Sequence, residues 1–201
     1  MENSTLTEAA YWAACYLNGQ TGWDIGYPSP ALMDFLEQLP DKTISVLVPG
    51  AGMGWEAAAA FHIGFKKVFY LDFAVSAAGR FQQAHPWFPE HQVLVQDFFA
   101  LEGQFDLVLE QTFFCSLHPS KRADWVHKCF QLLQPGGIIA GLLFNHEFAH
   151  QGPPYGGTES EYRTLLSSGF EVEHMEVTDK SIKPRALREL FFVARKKSLL
   201  H

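Results

Sequence analysis

Residues 44–54 read Ile44-Ser-Val-Leu-Val-Pro-Gly-Ala-Gly-Met-Gly54 and combine an apolar run with a glycine-rich segment. The run Ile44–Val48 is partly β-branched and ends in Pro49-Gly50, which is typical of a buried strand that enters a tight turn. A helix is predicted next, because Trp55–Ile63 contains four consecutive alanines and stops at Gly64. The stretch therefore predicts a strand, a glycine loop and a helix in succession.

The alternation of strand and helix signals continues through the middle of the chain. Strands that alternate with helices of roughly 10 residues indicate right-handed βαβ units and a parallel sheet covered on both faces. The predicted elements are, in order, a strand at Lys67–Leu71, a helix at Val75–Ala84, strands at Gln92–Gln96 and Phe105–Leu109, a helix at Ser120–Leu133 and a strand at Gly137–Phe144.

The C-terminal part has a different pattern. A helix at Glu159–Ser167 is followed by two strand-like runs, Phe170–Val177 and Arg188–Ala194, and the loop Asp179–Arg185 between them has no convincing crossover helix. Two strands joined in this way pair antiparallel. The predicted fold is α/β and Rossmann-like, with a seven-stranded, mostly parallel sheet, an antiparallel C-terminal strand and helices on both faces.

The glycine loop and an acidic residue further along the chain together indicate a binding site for a nucleoside. Gly50 and Gly52 let the backbone approach a ligand, and Asp72 follows about 20 residues later at the end of the second strand, where a carboxylate reaches ribose hydroxyls. A dinucleotide site would need a third glycine where Trp55 stands, which argues against a nicotinamide or flavin cofactor. A nucleoside-bearing methyl donor fits better, and an ordinary turn with a capping aspartate is the alternative.

Composition limits the partners. The 201 residues carry a formal charge of −7, which gives no electrostatic reason to bind nucleic acid or an anionic membrane, and leaves a small molecule as the expected partner. No apolar run approaches membrane-spanning length. The three cysteines follow neither a disulfide nor a zinc pattern and suit a reducing cytoplasm. We expect one domain over 1–201 and leave the oligomeric state open.

An ordered set of motifs resembles the thiopurine S-methyltransferase family, which includes plant thiol and halide methyltransferases. The resemblance covers the chain from about Trp12 to Arg195. The motifs are Val46–Gly54, Thr21-Gly-Trp-Asp-Ile-Gly-Tyr-Pro-Ser-Pro30 with Trp12, Tyr16 and Gly19 before it, Gln96–Phe99, Phe105–Glu110, Thr112–Cys115, Leu132-Leu-Gln-Pro-Gly-Gly137 and Gly152-Pro-Pro-Tyr155.

The resemblance implies a class I methyltransferase that uses S-adenosyl-L-methionine. Residues 1–40 would form a segment that covers the cofactor, and residues 41–201 the Rossmann-like core. The reaction would be in-line displacement of the donor methyl group by a small soft nucleophile such as a thiol, a thiopurine-like compound or a halide. Positioning two reactants can lower such a barrier by roughly 7 to 11 kcal/mol.

The same resemblance implies roles for individual residues. The implied cofactor-binding residues are Trp12, Trp23, Gly50, Gly52, Asp72, Phe73, Asp97, Phe98, Glu110 and Thr112. The residues expected in the substrate pocket are Tyr27, Phe114, His150 and Tyr155, with Phe144 as a further aromatic candidate. Glu110 and His118 are the candidate catalytic residues that could accept a proton from a thiol. The alternatives are a core aromatic for Trp23 and a helix N-cap for Asp97.

Several positions depart from the family pattern. Tyr27 stands where arginine is expected, Ala51 replaces a common cysteine, Phe73-Ala74 replaces Ile-Ser, and Gln111 and His118 are atypical. These departures put the family substrates in doubt. They leave open a small-molecule O- or N-methyltransferase, or a pseudoenzyme that binds the donor without turnover.

Two further features could indicate a metal site or a cysteine nucleophile. His146-Glu-Phe-Ala-His150 matches a zinc-protease motif, but that motif requires a helix, and Gln151-Gly-Pro-Pro154 cannot continue one. We therefore expect no metal there and interpret the segment as a loop beside the acceptor pocket. Cys115 follows two phenylalanines and is interpreted as a small buried side chain rather than a nucleophile.

Overall fold

The computed structural model describes residues 10–12, 14–16 and 18–198. Residues 1–9, 13 and 17 of the expected covering segment, and 199–201, lie outside this description. The strands are β1 (Ser45–Pro49), β2 (Lys67–Asp72), β3 (Val93–Val95), β4 (Phe105–Gln111), β5 (Leu133–Phe144), β6 (Phe170–Val177) and β7 (Glu189–Lys196). The longer helices after residue 18 are α1 (Pro30–Gln38), α2 (Trp55–His62), α3 (Val75–Ala84), α4 (Arg122–Leu132) and α5 (Glu159–Leu166).

The strands form one seven-stranded sheet in the order β3-β2-β1-β4-β5-β7-β6. The first five strands in this spatial order, β3-β2-β1-β4-β5, are parallel to their neighbours, whereas β7 runs antiparallel to both β5 and β6. This topology confirms the predicted sheet. The strand order reverses between β1 and β4, and open α/β sheets bind ligands in the crevice at such a switch point, beyond the carboxyl ends of the strands.

Two hydrophobic cores lie on opposite faces of the sheet. Alternate residues of β1 point to different faces, so that Leu47 belongs to one core while Val46 and Val48 belong to the other. The first core includes Trp125 of α4, and the second includes Leu32 of α1. The predicted coverage of both faces by helices is thereby confirmed.

The loop between β1 and α2 depends on glycine. Gly50, Gly52 and Gly54 have φ values of 59°, 54° and 73°, a left-handed region that other residues rarely adopt. A Cβ on Gly54 would also lie 2.2 Å from the ring of Phe81 in α3. The loop can therefore turn sharply from β1 into α2 while α3 packs directly against it.

The strand β5 begins earlier than the sequence indicates. The sequence predicts the strand from Gly137, yet β5 already starts at Leu133. The pairing with β4 shifts from Phe105–Leu133 to Leu107–Ile138, so the Pro-Gly-Gly segment is an irregularity inside the strand. Proline lacks the amide proton of a regular ladder, which explains why the extra residues collect at this point.

No helix among the described residues is long and apolar enough to cross a membrane.

We predict that one substitution, glycine to alanine, has opposite effects at two positions. In Gly141→Ala the new Cβ would lie 2.4 Å from the Cβ of Glu110, and we expect a loss of about 1–3 kcal/mol of stability. In Gly79→Ala, inside α3, nothing lies within 4 Å of the new Cβ, and we expect a gain of up to about 1 kcal/mol. Denaturant titration of both variants checks this, and equal shifts would contradict it.

Candidate active site

A cavity of about 900 Å³ lies at the carboxyl edge of the sheet. Its walls come from four regions: the loops after β1, β2 and β4, the segment around residues 96–99, the N-terminal segment, and the loops that follow β5 and β6. The cavity therefore lies where the strand order predicts a ligand site. We call the part near the glycine loop the donor end and the part near the loops after β5 and β6 the acceptor end.

Most of the residues assigned to the cofactor lie in the wall of this cavity. At the donor end they share one position in the fold, because each follows the carboxyl end of a strand. The lining residues of this group are Gly50, Asp72, Phe73, Asp97, Phe98 and Thr112. The structure thus brings together residues that are up to 62 positions apart in the sequence, from Gly50 to Thr112.

Asp72 joins the glycine loop to the end of β2. Its side chain is buried, one carboxylate oxygen accepts the amide proton of Gly52 at 2.9 Å, and the other accepts that of Ala74 at 2.8 Å. Burial raises the pKa of Asp72, while the backbone hydrogen bonds oppose this rise. Each carboxylate oxygen keeps acceptor capacity for a further hydrogen bond, so Asp72 can order the loop and still bind a ligand hydroxyl.

The three glycines of the loop have different neighbours. A Cβ on Gly50 would lie 2.5 Å from the ring of Phe113, which shares the cavity wall with it. A Cβ on Gly52 would lie 2.6 Å from the hydroxyl of Tyr16, and Gly52 is not part of the wall. Gly52 therefore allows Tyr16 to pack on the loop, which corrects its predicted place facing the donor. Neither Phe113 nor Tyr16 was assigned a site role from the sequence.

Asp97 lies where both interpretations, a cofactor-binding residue and a helix N-cap, would place it. It lines the cavity, and its carboxylate accepts the amide proton of Phe99 at 2.9 Å, which caps the short 3₁₀ helix Phe98–Ala100. The N-cap interpretation and the binding-site interpretation are therefore compatible. Thr112, at the end of β4, has a φ of 58°, which is unusual for a β-branched residue and turns the chain sharply into the wall.

The N-terminal segment contributes a group of aromatic rings. Trp12 and Trp23 line the cavity and meet edge to face with their ring centroids 5.0 Å apart. Tyr16 packs against Trp23 at 5.7 Å, and burial raises the pKa of its phenol. Trp23 is only partly buried, so it is a wall residue rather than a core aromatic.

The acceptor end is aromatic and basic. His118 and Tyr155 line it with ring centroids 5.6 Å apart, and the Nδ1 atom of His118 lies 2.9 Å from the hydroxyl of Ser120. Other aromatic lining residues are Phe144, His146 and Phe148. Two cationic residues, Arg185 and Arg188, lie just before β7 and line this end, whereas Lys121 lines the cavity beside Phe99, with its Nζ atom 6.0 Å from the centroid of that ring. No sequence pattern identifies these cations, because basic residues in loops are ordinary surface features until the fold shows what they face.

Besides Gly52, four predicted site residues lie outside the cavity wall. Tyr27 is 47% exposed, His150 is also exposed, and neither belongs to the cavity wall. Phe114 is 2% exposed and packs in the core between Trp125 and Tyr162, with ring centroids at 5.0 and 5.8 Å. Glu110 is fully buried beneath the loop that follows β4. The predictions that Tyr27, His150 and Phe114 line the acceptor pocket and that Glu110 lines the donor pocket are corrected accordingly.

Glu110 supports the cavity wall from behind. One of its carboxylate oxygens accepts the amide proton of Phe114 at 2.8 Å, and the other has no hydrogen-bond partner. Burial raises the pKa of Glu110 to about 8, which leaves the group mostly neutral at pH 7. This placement also corrects its prediction as a catalytic base, because the carboxyl does not reach the cavity.

The segment between β5 and the Gly-Pro-Pro-Tyr motif forms no helix. Residues 145–150 are irregular, His146 lines the cavity beside Phe148 at a centroid distance of 4.4 Å, and the exposed His150 packs against Phe148 at 5.3 Å without being part of the wall. Within the described ranges, no group of three or more histidine, cysteine, aspartate or glutamate side chains could hold a metal ion. Cys115 lies in the wall but is buried, and burial raises the pKa of its thiol, which disfavours the nucleophilic thiolate.

Comparison with known proteins gives consistent results. Residues 7–197 match the family model described as Thiopurine S-methyltransferase (TPMT). The "Probable thiol methyltransferase 2" of Arabidopsis thaliana is 31% identical over 196 residues, which cover 94% of this chain and 86% of that protein. A "Thiocyanate methyltransferase 1" of Brassica oleracea is 28% identical over 193 residues, covering 90% of this chain and 83% of that protein.

A solved structure supports the fold. The 1,6-didemethyltoxoflavin-N1-methyltransferase of Burkholderia thailandensis, solved with 1,6-didemethyltoxoflavin and S-adenosylhomocysteine bound, superposes with a TM-score of 0.78. It is 20% identical, and the match covers 98% of this chain and 90% of that one. The predicted class I methyltransferase fold is thereby confirmed.

We predict that Glu110→Gln removes a pH dependence of stability. The pKa of Glu110 is raised in the folded state, so the stability due to its neutral form is complete below about pH 4 and is lost as the pH rises towards 8. Between these limits the wild type should lose up to roughly 1 kcal/mol per pH unit relative to the variant. Urea titrations at pH 5, 6.5 and 8 measure this difference, with the exposed Glu176→Gln as the control. Parallel stability curves for wild type and Glu110→Gln would contradict the prediction.

Proposed function

The chain belongs to the thiopurine S-methyltransferase family and is an S-adenosylmethionine-dependent methyltransferase, and from this premise we propose that it methylates a small, soft, anionic nucleophile by in-line displacement. The proposed acceptors are thiols, thiopurine-like compounds and halides. One observation carries the proposal: a single cavity extends from the glycine loop and Asp72 to a basic, aromatic end. A donor and an acceptor can therefore meet inside one enclosure.

The residues at the donor end fit S-adenosylmethionine. Asp72 retains acceptor capacity for ribose hydroxyls, and Gly50 keeps the wall open where the donor's methionine part would approach the backbone. Asp97 and Phe98 would flank the adenine, and Trp23 would cover the donor, whose sulfonium supplies an electrophilic methyl group. Aromatic faces attract such a cation, which suits the rings of the N-terminal segment.

The acceptor end favours a negatively charged nucleophile. Arg185 and Arg188 are cations that would stabilise a thiolate or a halide, although Arg185 also pairs with Glu189, and the aromatic residues around them would exclude water. Loss of water makes such a nucleophile more reactive, and alignment with the methyl group lowers the barrier further. Fixed positive charge at this end also means that a strong general base is not required for an acceptor that arrives as an anion.

A thiol of ordinary pKa would need to lose its proton. His118 is the candidate for this role, because its imidazole lines the acceptor end and its Nδ1 atom is held by the hydroxyl of Ser120. The Nε2 atom would then accept the proton and pass it to solvent, since His118 is exposed. Glu110 takes no part in this step.

The wider setting belongs to the same proposal. We place the enzyme in the cytoplasm, on the ground that Cys15, Cys115 and Cys129 are all free and buried. We also propose that the chain works as one domain, with residues 1–40 as the segment that covers the donor and 41–201 as the core. The partner is a small molecule, which agrees with the formal charge of −7.

Calorimetric titration followed by an acceptor panel tests the function. We expect micromolar binding of S-adenosylmethionine and no binding of NADH, because Trp55 replaces the third glycine of a dinucleotide site. Methyl transfer should then appear with thiols, thiocyanate or iodide. Transfer to hydroxyls or amines alone would refute the acceptor class, and donor binding without transfer to any acceptor would indicate a pseudoenzyme.

We predict that Asp72→Ala weakens donor binding by roughly 1 to 3 kcal/mol, since the variant loses a charged hydrogen-bond acceptor in the cavity wall. Calorimetry with S-adenosylmethionine measures the effect. Asp72→Asn is the matched variant, because one of its two terminal atoms can still accept an amide proton and it should retain more of the affinity. Unchanged affinity in Asp72→Ala, with the fold intact by circular dichroism, would refute the ribose assignment.

A further inference from the structure

The tryptophan that replaces the third glycine has a partner in the N-terminal segment. The indole Nε1–H of Trp55 donates a hydrogen bond to the carboxylate of Asp24 at 2.8 Å. The next residue, Glu56, accepts the amide proton of Ser29 at 2.9 Å through its buried carboxylate. The first turn of α2 therefore holds the segment 24–29 at two points, directly after the glycine loop.

A second contact holds the same segment from the acceptor end. Arg185 donates a hydrogen bond from Nη2 to the carbonyl oxygen of Trp23 at 2.9 Å. The side chain of Arg185 is only 11% exposed, forms an ion pair with Glu189 at 3.4 Å, and lies over the ring of Phe144. Trp23 and Asp24, which are adjacent in the chain, are thus held from opposite ends of the cavity.

Asp24 also sets the local turn. The same carboxylate oxygen that accepts from Trp55 accepts the amide proton of Gly26 at 2.8 Å, and Gly26 has a φ of 78°. This is an Asx-type turn, in which an aspartate side chain replaces a backbone acceptor. The backbone after Trp23 is thereby fixed in the direction that leads into α1.

The N-terminal segment has little apolar attachment of its own. Its buried part forms a small separate cluster of Tyr16 with Ala74 and Ala77, with Trp23 packed against it, and neither large core contains a described residue from 10–27. The segment can therefore leave its position without opening the main cores. Polar contacts such as the bond between Asp24 and Trp55 then decide how firmly it is held.

We propose that Asp24 and Trp55 form a clasp that positions the N-terminal segment over the donor end, which makes both of them positioning residues for donor binding. This inference rests on the proposed function, because it takes the donor end as the place where S-adenosylmethionine binds. It also explains Trp55 physically: a glycine there could not reach the segment, whereas an indole N–H can.

Three variants test the clasp. Trp55→Phe removes the N–H but keeps an aromatic ring, Asp24→Ala removes the acceptor, and Asp24→Asn keeps an acceptor oxygen. We expect the first two to bind S-adenosylhomocysteine roughly three- to tenfold more weakly, the range for one lost hydrogen bond, and Asp24→Asn to bind nearly as the wild type does. Calorimetry measures the affinities.

Amide hydrogen exchange provides a second readout that does not depend on activity. In the wild type, S-adenosylhomocysteine should slow exchange at residues 18–27, and at equal ligand concentration this protection should be smaller in Trp55→Phe and Asp24→Ala. Exchange in β1 and β4 and the thermal midpoint should stay unchanged. The matched controls are Trp87→Phe, a 41% exposed tryptophan outside the cavity wall, and Asp41→Ala, an exposed aspartate that likewise caps a local turn.

The outcomes separate the two proposals. If the wild type binds S-adenosylhomocysteine and both clasp variants bind it equally well with unchanged exchange at 18–27, the clasp is refuted while the proposed function stands. If the wild type binds neither S-adenosylhomocysteine nor S-adenosylmethionine, the proposed function is refuted and the inference falls with it. Additive effects in the double variant would show that Asp24 and Trp55 act apart, which would also overturn the clasp.

Discussion

A buried carboxylate at the end of β2 organises the binding edge of this protein. Asp72 accepts amide protons from Gly52 on one side and from Ala74 on the other, so it connects the loop after β1 with the start of α3. Burying a carboxylate costs hydration energy, and hydrogen bonds from backbone amides offset part of that cost. The left-handed glycines of the loop bring one of these amides into place. The loop conformation and the chemistry offered to a ligand therefore depend on the same group.

The cavity is electrically asymmetric. Its donor end has the carboxylates of Asp72 and Asp97, whereas its acceptor end has Arg185 and Arg188. A reaction between a sulfonium and an anion loses hydration energy on both sides when water leaves, and fixed charges of the complementary sign offset part of that loss. The described residues of the wall thus place negative charge at one end of the cavity and positive charge at the other.

Local patterns predicted the sheet well, because each strand has its own apolar signal and the tail lacks a crossover helix. The donor end was also largely predictable, since Gly50, Asp72 and Asp97 each follow a strand and must meet at one edge. The acceptor end was not, because its residues come from loops whose paths depend on tertiary contacts. Phe114 and Glu110 lie near the site in sequence, yet Glu110 is buried within β4 and Phe114 enters the core after the left-handed Thr112.

The position of β7 has a consequence for how the molecule is made. This strand lies between β5 and β6, so β6 has no partner in the sheet until residues 189–196 are available. During synthesis, β1 to β5 leave the ribosome first, and these five strands can pair in parallel before β6 and β7 are both available to pair antiparallel. Arg185 and Arg188 lie just before β7, so the cationic part of the acceptor wall is among the last parts of the cavity to be synthesised.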